Sequence, residues 1–212
     1  MIGRLFRAYG CTYVAFLASV CVGLKGAAST LLSSTMLPLF RTVLHLTDAD
    51  YQACLTVIML PWAMKSIIGL CADRLACTTA MFGLAVVVGA SSAAALAAAT
   101  SLTVGTATAL AFGISCQIAV VDVLTEASYA KQMRLVPAAA TDLLSFVWWC
   151  LSVGSFVGIL LAGVLAQSNL TQLAFWVACG LCLQTAGPLL CGWFPTTSSV
   201  DTPTPGPVSY TH

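Results

Sequence analysis

Lys25, Lys65, Asp122 and Glu126 are the residues of this chain whose types and spacing could do chemistry, because each stands in a stretch otherwise almost free of charge. Lys25 lies near the middle of the run between Arg7 and Arg41. Lys65 precedes Arg74 by nine residues, which is roughly 13 Å of helix, so the two ammonium groups approach a common depth. An ionisable group at mid-bilayer costs about 2.5–3.5 kcal/mol on insertion scales and ordinarily faces a bundle interior, where it acts on something. Two lysines in one bundle need anions: protein carboxylates, a bound solute, or both. Snorkelling is the competing role, and it suits residues near helix ends. Asp122 and Glu126 are four residues apart, so they share a helix face that Tyr129 and Met133 continue. Close carboxylates in a poorly solvated place disfavour double ionisation, which suits a proton site. A structural ion-pair network with Arg74, Lys131, Arg134 and Asp142 is the alternative for the same two groups. Trp62, Lys65, Gly69 and Asp73 follow helical spacing. Gly69 is expected to admit a close neighbouring helix, and Pro61 to kink the helix beside Lys65. The candidate substrate contacts are therefore Lys25, Trp62, Lys65 and Asp122, with Asp122 and Glu126 as proton-coupling or ion-pair groups. Asp73 and Arg74 sit at the inner boundary, in a short loop. Trp148 and Trp149 are expected to pack.

The elements that must hold these groups follow from composition. The 212 residues carry 8 Lys+Arg and 7 Asp+Glu; charged residues are 7% of the chain and hydrophobic ones 59%, against about 25% charged in a soluble domain. So few polar groups exclude a soluble fold, and a net charge of +1 leaves no electrostatic footprint for nucleic acid. What remains is an all-α polytopic protein whose partner is the lipid bilayer. No charge lies between Arg74 and Asp122, or between Asp142 and Asp201. At about 20 apolar residues per crossing, each run holds two spans. The expected architecture is a cytoplasmic N-terminus at 1–9, a six-helix bundle at 10–194 and a disordered polar tail at 195–212. The spans fall near 10–44, 51–72, 76–99, 103–127, 142–166 and 172–194. The first is long, so tilt or a bend near Gly23 and Gly26 is expected, with a re-entrant hairpin as the alternative. Arg4, Arg7, Arg74, Lys131 and Arg134 fall on one side and Arg41 on the other, which places both termini in the cytoplasm.

The N-terminal pattern of arginines and apolar residues imitates a signal peptide, but Lys25 and further apolar residues stand where cleavage would fall. The 10 cysteines lie mostly in spans, where Cys acts as a small apolar residue; Cys179 and Cys182 are read as packing, not metal or redox chemistry. No cofactor motif is present. Asn169-Leu170-Thr171 is a sequon in a loop too short for easy glycan transfer.

Between the second and third spans, Gly69-Leu-Cys-Ala-Asp73-Arg74 resembles the loop motif of the major facilitator superfamily. Leu60-Pro61-Trp62-Ala63-Met64-Lys65-Ser66-Ile67-Ile68-Gly69 resembles the Pro-Trp-x-x-Lys-Pro-x-x-Gly signature of the folate–biopterin transporter family within it. Leu24-Lys25-Gly26, Leu37-Pro38-Leu39, Asp122-Val-Leu-Thr-Glu126-Ala-Ser-Tyr129-Ala130 with Met133-Arg134, and Asp142-Leu-Leu-Ser-Phe-Val-Trp148 fit the same family, in family order. The resemblance implies proton-linked transport of folate or pterin solutes. It also implies a twelve-helix fold with a cavity between two six-helix halves, of which this chain matches the N-terminal one. The matched Lys25, Lys65, Asp122 and Glu126 would line that half of the cavity, and the resemblance gives Gly69, Asp73 and Arg74 a gating role. Lysine would neutralise the glutamate of folate, and carboxylates would bind the amino-pyrimidine edge of the pterin. Three departures stand out. Ser66 replaces the expected Pro. Ala76, Cys77 and Thr78 replace a basic cluster after Arg74. The second half is absent, the polar tail resembling the start of a central linker.

The expected function is thus secondary-active transport by a truncated or half-size carrier in the plasma membrane, paired with a second copy or a C-terminal half-carrier. The alternative is a non-transporting membrane subunit or the product of a truncated transporter gene. An intramembrane enzyme is disfavoured, since no catalytic residue set or metal motif is present. The absence of a phosphate-cradling loop disfavours an ATP-driven pump.

Overall fold

The computed structural model describes residues 2–75, 78–168 and 170–193. The expected polar tail, Ala76 and Cys77 of the second turn, and Asn169 of the sequon lie outside the described residues. Within them the chain is helical apart from short connections, without strands, and six helices are long and apolar enough to cross a membrane. They are Cys11–Val43, Asp48–Arg74, Thr78–Ala98, Val104–Leu135, Pro137–Gln167 and Thr171–Leu190, the first to sixth spans below. An all-α, six-span membrane fold is what the composition dictates, because every backbone polar group in lipid must find its partner within the chain.

Local chemistry sets the ends. Thr47 accepts from the Asp50 amide at 3.2 Å where the second span begins. At the start of the fourth, Thr103 and Thr106 cap each other reciprocally, at 3.3 and 3.1 Å. A short helix, Ile2–Tyr9, precedes the first span, and Gly10 separates them at φ 81, a left-handed conformation that glycine takes without a Cβ penalty. This helix is fastened to the start of the fifth span and the connection before it: Arg4 meets Asp142 at 3.3 Å, and the Tyr9 hydroxyl donates to the Val136 carbonyl at 3.2 Å.

The first span is one continuous crossing and not a re-entrant hairpin. In place of a simple bend near Gly23 and Gly26, it is π-wound from Ser19 to Ala28 and again from Leu39 to Val43. The second span is interrupted. Its helix runs Asp48–Ala63, turns at Met64 (φ −91, ψ 10) and resumes as Lys65–Leu75. The break falls between Pro61 and Lys65, next to the position where the missing proline amide was expected to bend the chain.

The first span packs on the fifth and sixth, the third on the fourth and sixth, and the second on the fourth. Phe16, Phe40, Phe82 and Phe175 are fully buried in the core these contacts enclose. The tightest crossing joins the first and fifth spans. A Cβ added at Gly26 would lie 2.7 Å from the Gly154 Cα, and one at Gly158 would lie 2.6 Å from the Ala27 carbonyl oxygen. Backbones so close need glycine on both sides. The second span is the least buried of the six and the fifth the next. Their outer faces present Val57, Leu60, Ile67 and Leu70, and Trp148, Phe156, Ile159 and Val164.

Candidate functional site

The fourth span carries the centre of the site. Asp122 is 1% exposed and lies within a run of buried residues that includes Ile118, Ala119, Val121 and Leu124. A lone carboxylate at such a place would be costly. Here it has two cationic partners from two different helices. The Lys25 ammonium of the first span sits on its Oδ1, and the Lys65 ammonium of the second span on its Oδ2. One carboxylate therefore joins three spans.

Glu126, one turn further along, lies 3.6 Å from the Lys25 ammonium. The four side chains form a gradient of access. Those of Asp122 and Lys25 are 2% and 9% exposed, whereas Lys65 and Glu126 reach 29% and 45%. The dry end holds the salt-bridged aspartate and the wet end holds the glutamate. With both carboxylates ionised the cluster sums to zero. With Glu126 protonated it carries one net positive charge.

Trp62 completes the wet end. Its ring centroid lies 4.3 Å from the Lys65 ammonium, within range of a cation–π contact. The break at Met64 lies between these two residues, so the interrupted helix presents a flat ring and a cation beside one another. Tyr13 of the first span and Ser128 of the fourth share a hydrogen bond of 3.0 Å on the side of the N-terminal helix, a further tie between the two spans that carry Lys25 and Asp122.

The structure thus brings together Lys25, Trp62, Lys65, Asp122 and Glu126. It does not assemble the alternative network. Among the described residues, Glu126 pairs with Lys25 and Asp142 with Arg4, not with Arg74, Lys131 or Arg134. The role expected for Gly69 is corrected: a Cβ there would meet Val123 Cγ1 at 3.7 Å, an ordinary contact, so the crossing of the second and fourth spans does not require a glycine. The close approach falls instead at Gly26, Gly154 and Gly158, whose spacing in the fifth span (Gly154-Ser-Phe-Val-Gly158) was the readable signal. Asp73 and Arg74 are exposed at the end of the second span, away from the lysine–aspartate centre. Trp148 and Trp149 are not packed inside the bundle as expected; both are more than half exposed on the fifth span.

A family model described as the BT1 family matches residues 25–190, beginning at Lys25 itself and covering most of the chain. No curated protein and no solved structure matches the chain.

Proposed function

The chain belongs to the BT1 family, the folate–biopterin transporters related to the major facilitator superfamily, and from that premise we propose that Lys25, Trp62, Lys65, Asp122 and Glu126 form one wall of its solute site. The six apolar helices and the family together make it a multi-pass integral membrane protein of a transporter family. The observation that carries the proposal is the sharing of buried Asp122 by two lysines. A buried carboxylate needs one cation; Asp122 has two, and the second positive charge is balanced only by the more exposed Glu126, with which an anionic cargo would compete.

The charge sum supplies a coupling. While Glu126 is ionised, the cluster is neutral and has no call for an anion. A proton on Glu126 leaves the two ammonium groups opposed by Asp122 alone, and the site then attracts a carboxylate such as the glutamate tail of a folate. Proton and anion would bind together and leave together. Trp62 offers a face on which a flat pterin ring can stack.

Rocking-bundle transport needs two bundles around a site at mid-membrane. The six spans here form one, and a second six-helix bundle would supply the other. The excess of arginine and lysine on the side of the N-terminal helix supports cytoplasmic termini, and the plasma membrane is the proposed location. Gly69, Asp73 and Arg74 are proposed to act at the inner gate.

The test is ligand discrimination in a competent carrier. Lys25→Ala and Lys65→Ala should each weaken binding of an anionic folate at least tenfold more than binding of a neutral pterin. Equal losses for both ligands, with protein levels intact, would remove the lysines from the solute site. A non-transporting subunit is the second reading, and it is favoured if the wild-type assembly binds neither ligand.

A further inference from the structure

Gln184 of the uncharged sixth span reaches the stretch of the first span that carries Lys25. Gln184 follows Leu183, the last residue of the longer helix of the sixth span, where the chain turns before resuming at Ala186. Its side-chain amide crosses to the first span and donates to the Ser19 carbonyl at 3.2 Å. Ser19 is the first residue of the π-wound stretch that ends at Ala28. The amide passes through a notch made by Gly23: a Cβ at that position would fall on the Gln184 amide nitrogen. In the same stretch, Gly26 lies against the Gly154 backbone. The π-wound turns thus meet both the backbone of the fifth span and one side chain of the sixth.

π winding, with its i→i+5 hydrogen bonds, widens a helix and changes the direction in which a residue inside it points. Lys25 is inside it, and its ammonium must meet Asp122 on the fourth span. We propose that Gln184 is a positioning residue for the site, its amide holding the widened stretch of the first span in the register that turns Lys25 onto Asp122. This rests on the reading of Lys25 as a member of the solute site. Gln184 itself touches neither Lys25 nor Asp122, so its influence passes through the backbone between Ser19 and Lys25.

The first test needs no solute. In the full chain purified in detergent, the melting temperature is measured for Lys25→Met, for Gln184→Met, and for the double variant. Gln184→Met keeps the length of the side chain and removes its donor. The two losses should be non-additive, with Lys25→Met costing less than half as many degrees in the Gln184→Met background as in the wild type. Additive losses would overturn the proposal, because they would show that Lys25 meets its partner equally well without the amide. Gly23→Ala supplies an independent variant. It fills the notch from the first span, so it should reduce the Lys25→Met loss as Gln184→Met does, and an undiminished loss there would also overturn the proposal.

The second test uses solute binding in a competent carrier. Gln184→Met should reproduce the pattern of Lys25→Ala, with folate affinity falling several-fold more than that of a neutral pterin. Uniform weakening of both ligands would leave Gln184 a structural residue only. If Lys25→Ala itself fails to discriminate while the melting cycle is non-additive, the solute reading fails and the positioning of Lys25 by Gln184 stands.

Discussion

Asp122 has two carboxylate oxygens, and the fold gives each a lysine from a different helix. Its removal should therefore be felt in stability before it is felt in transport. Asp122→Asn leaves Lys25, whose side chain is 9% exposed, facing an amide. Breaking a buried pair from one side costs about 3–5 kcal/mol, which a melt or a denaturant titration of the purified protein would register. Lys65→Met removes a partner that reaches the surface, with a side chain 29% exposed; solvent screening holds that loss to about 1 kcal/mol or less. A larger loss for Lys65→Met than for Lys25→Met would mean that Lys65, not Lys25, is the buried partner. Glu126 makes a prediction of a different kind. Because its charge decides whether the cluster is neutral or positive, Glu126→Gln should strengthen binding of an anionic folate relative to a neutral pterin. Affinities of both ligands for the wild type and the variant would check this, and an unchanged ratio would remove Glu126 from the charge balance of the site.

Two elements decide where these side chains meet, and they were unequally legible in the sequence. The broken second span was foreshadowed by Pro61, and the lysines and acids by their isolation in apolar runs. The π winding of Ser19–Ala28 was not. It lies where the first span meets both the fifth span's backbone and the Gln184 side chain, and no local pattern in the first span records what its neighbours bring. The partner choice of Asp142 was missed for a similar reason. Its arginine, Arg4, belongs to a short helix set off from the first span at Gly10. Glycines in the fifth span test the crossing directly. Gly154→Ala would drive a Cβ into the Val22 backbone, which cannot move aside as a side chain tip can; overpacking of this kind costs about 1–3 kcal/mol. Gly163→Ala, with nothing within 4 Å of the new carbon, should leave the melting temperature unchanged or raised. Equal effects at the two positions would place the first and fifth spans further apart than described here.

At the scale of the whole molecule, the two least buried spans are the second and the fifth, and the second carries Trp62 and Lys65 of the site. The wet end of the cluster, Glu126 and Lys65, thus lies toward a side of the bundle that its own helices do not cover. Lipid alone is a poor cover for a glutamate and a lysine, since polar groups facing hydrocarbon lose their solvation. A second bundle would close that side and leave an aqueous space between the two. The expected outcome is that the chain reconstituted in liposomes as a proven monomer gives no uptake of labelled folate or biopterin above empty vesicles. Self-associated chain, or chain mixed with a separate six-helix half of the same family, should restore saturable uptake that an inward proton gradient accelerates. Quantitative crosslinking from cysteines placed at Val57 and Ile67, both about half exposed on the second span, should then rise with transport activity. Saturable uptake by the monomer would mean that one bundle suffices, and that the outer face of the second span meets lipid throughout the cycle.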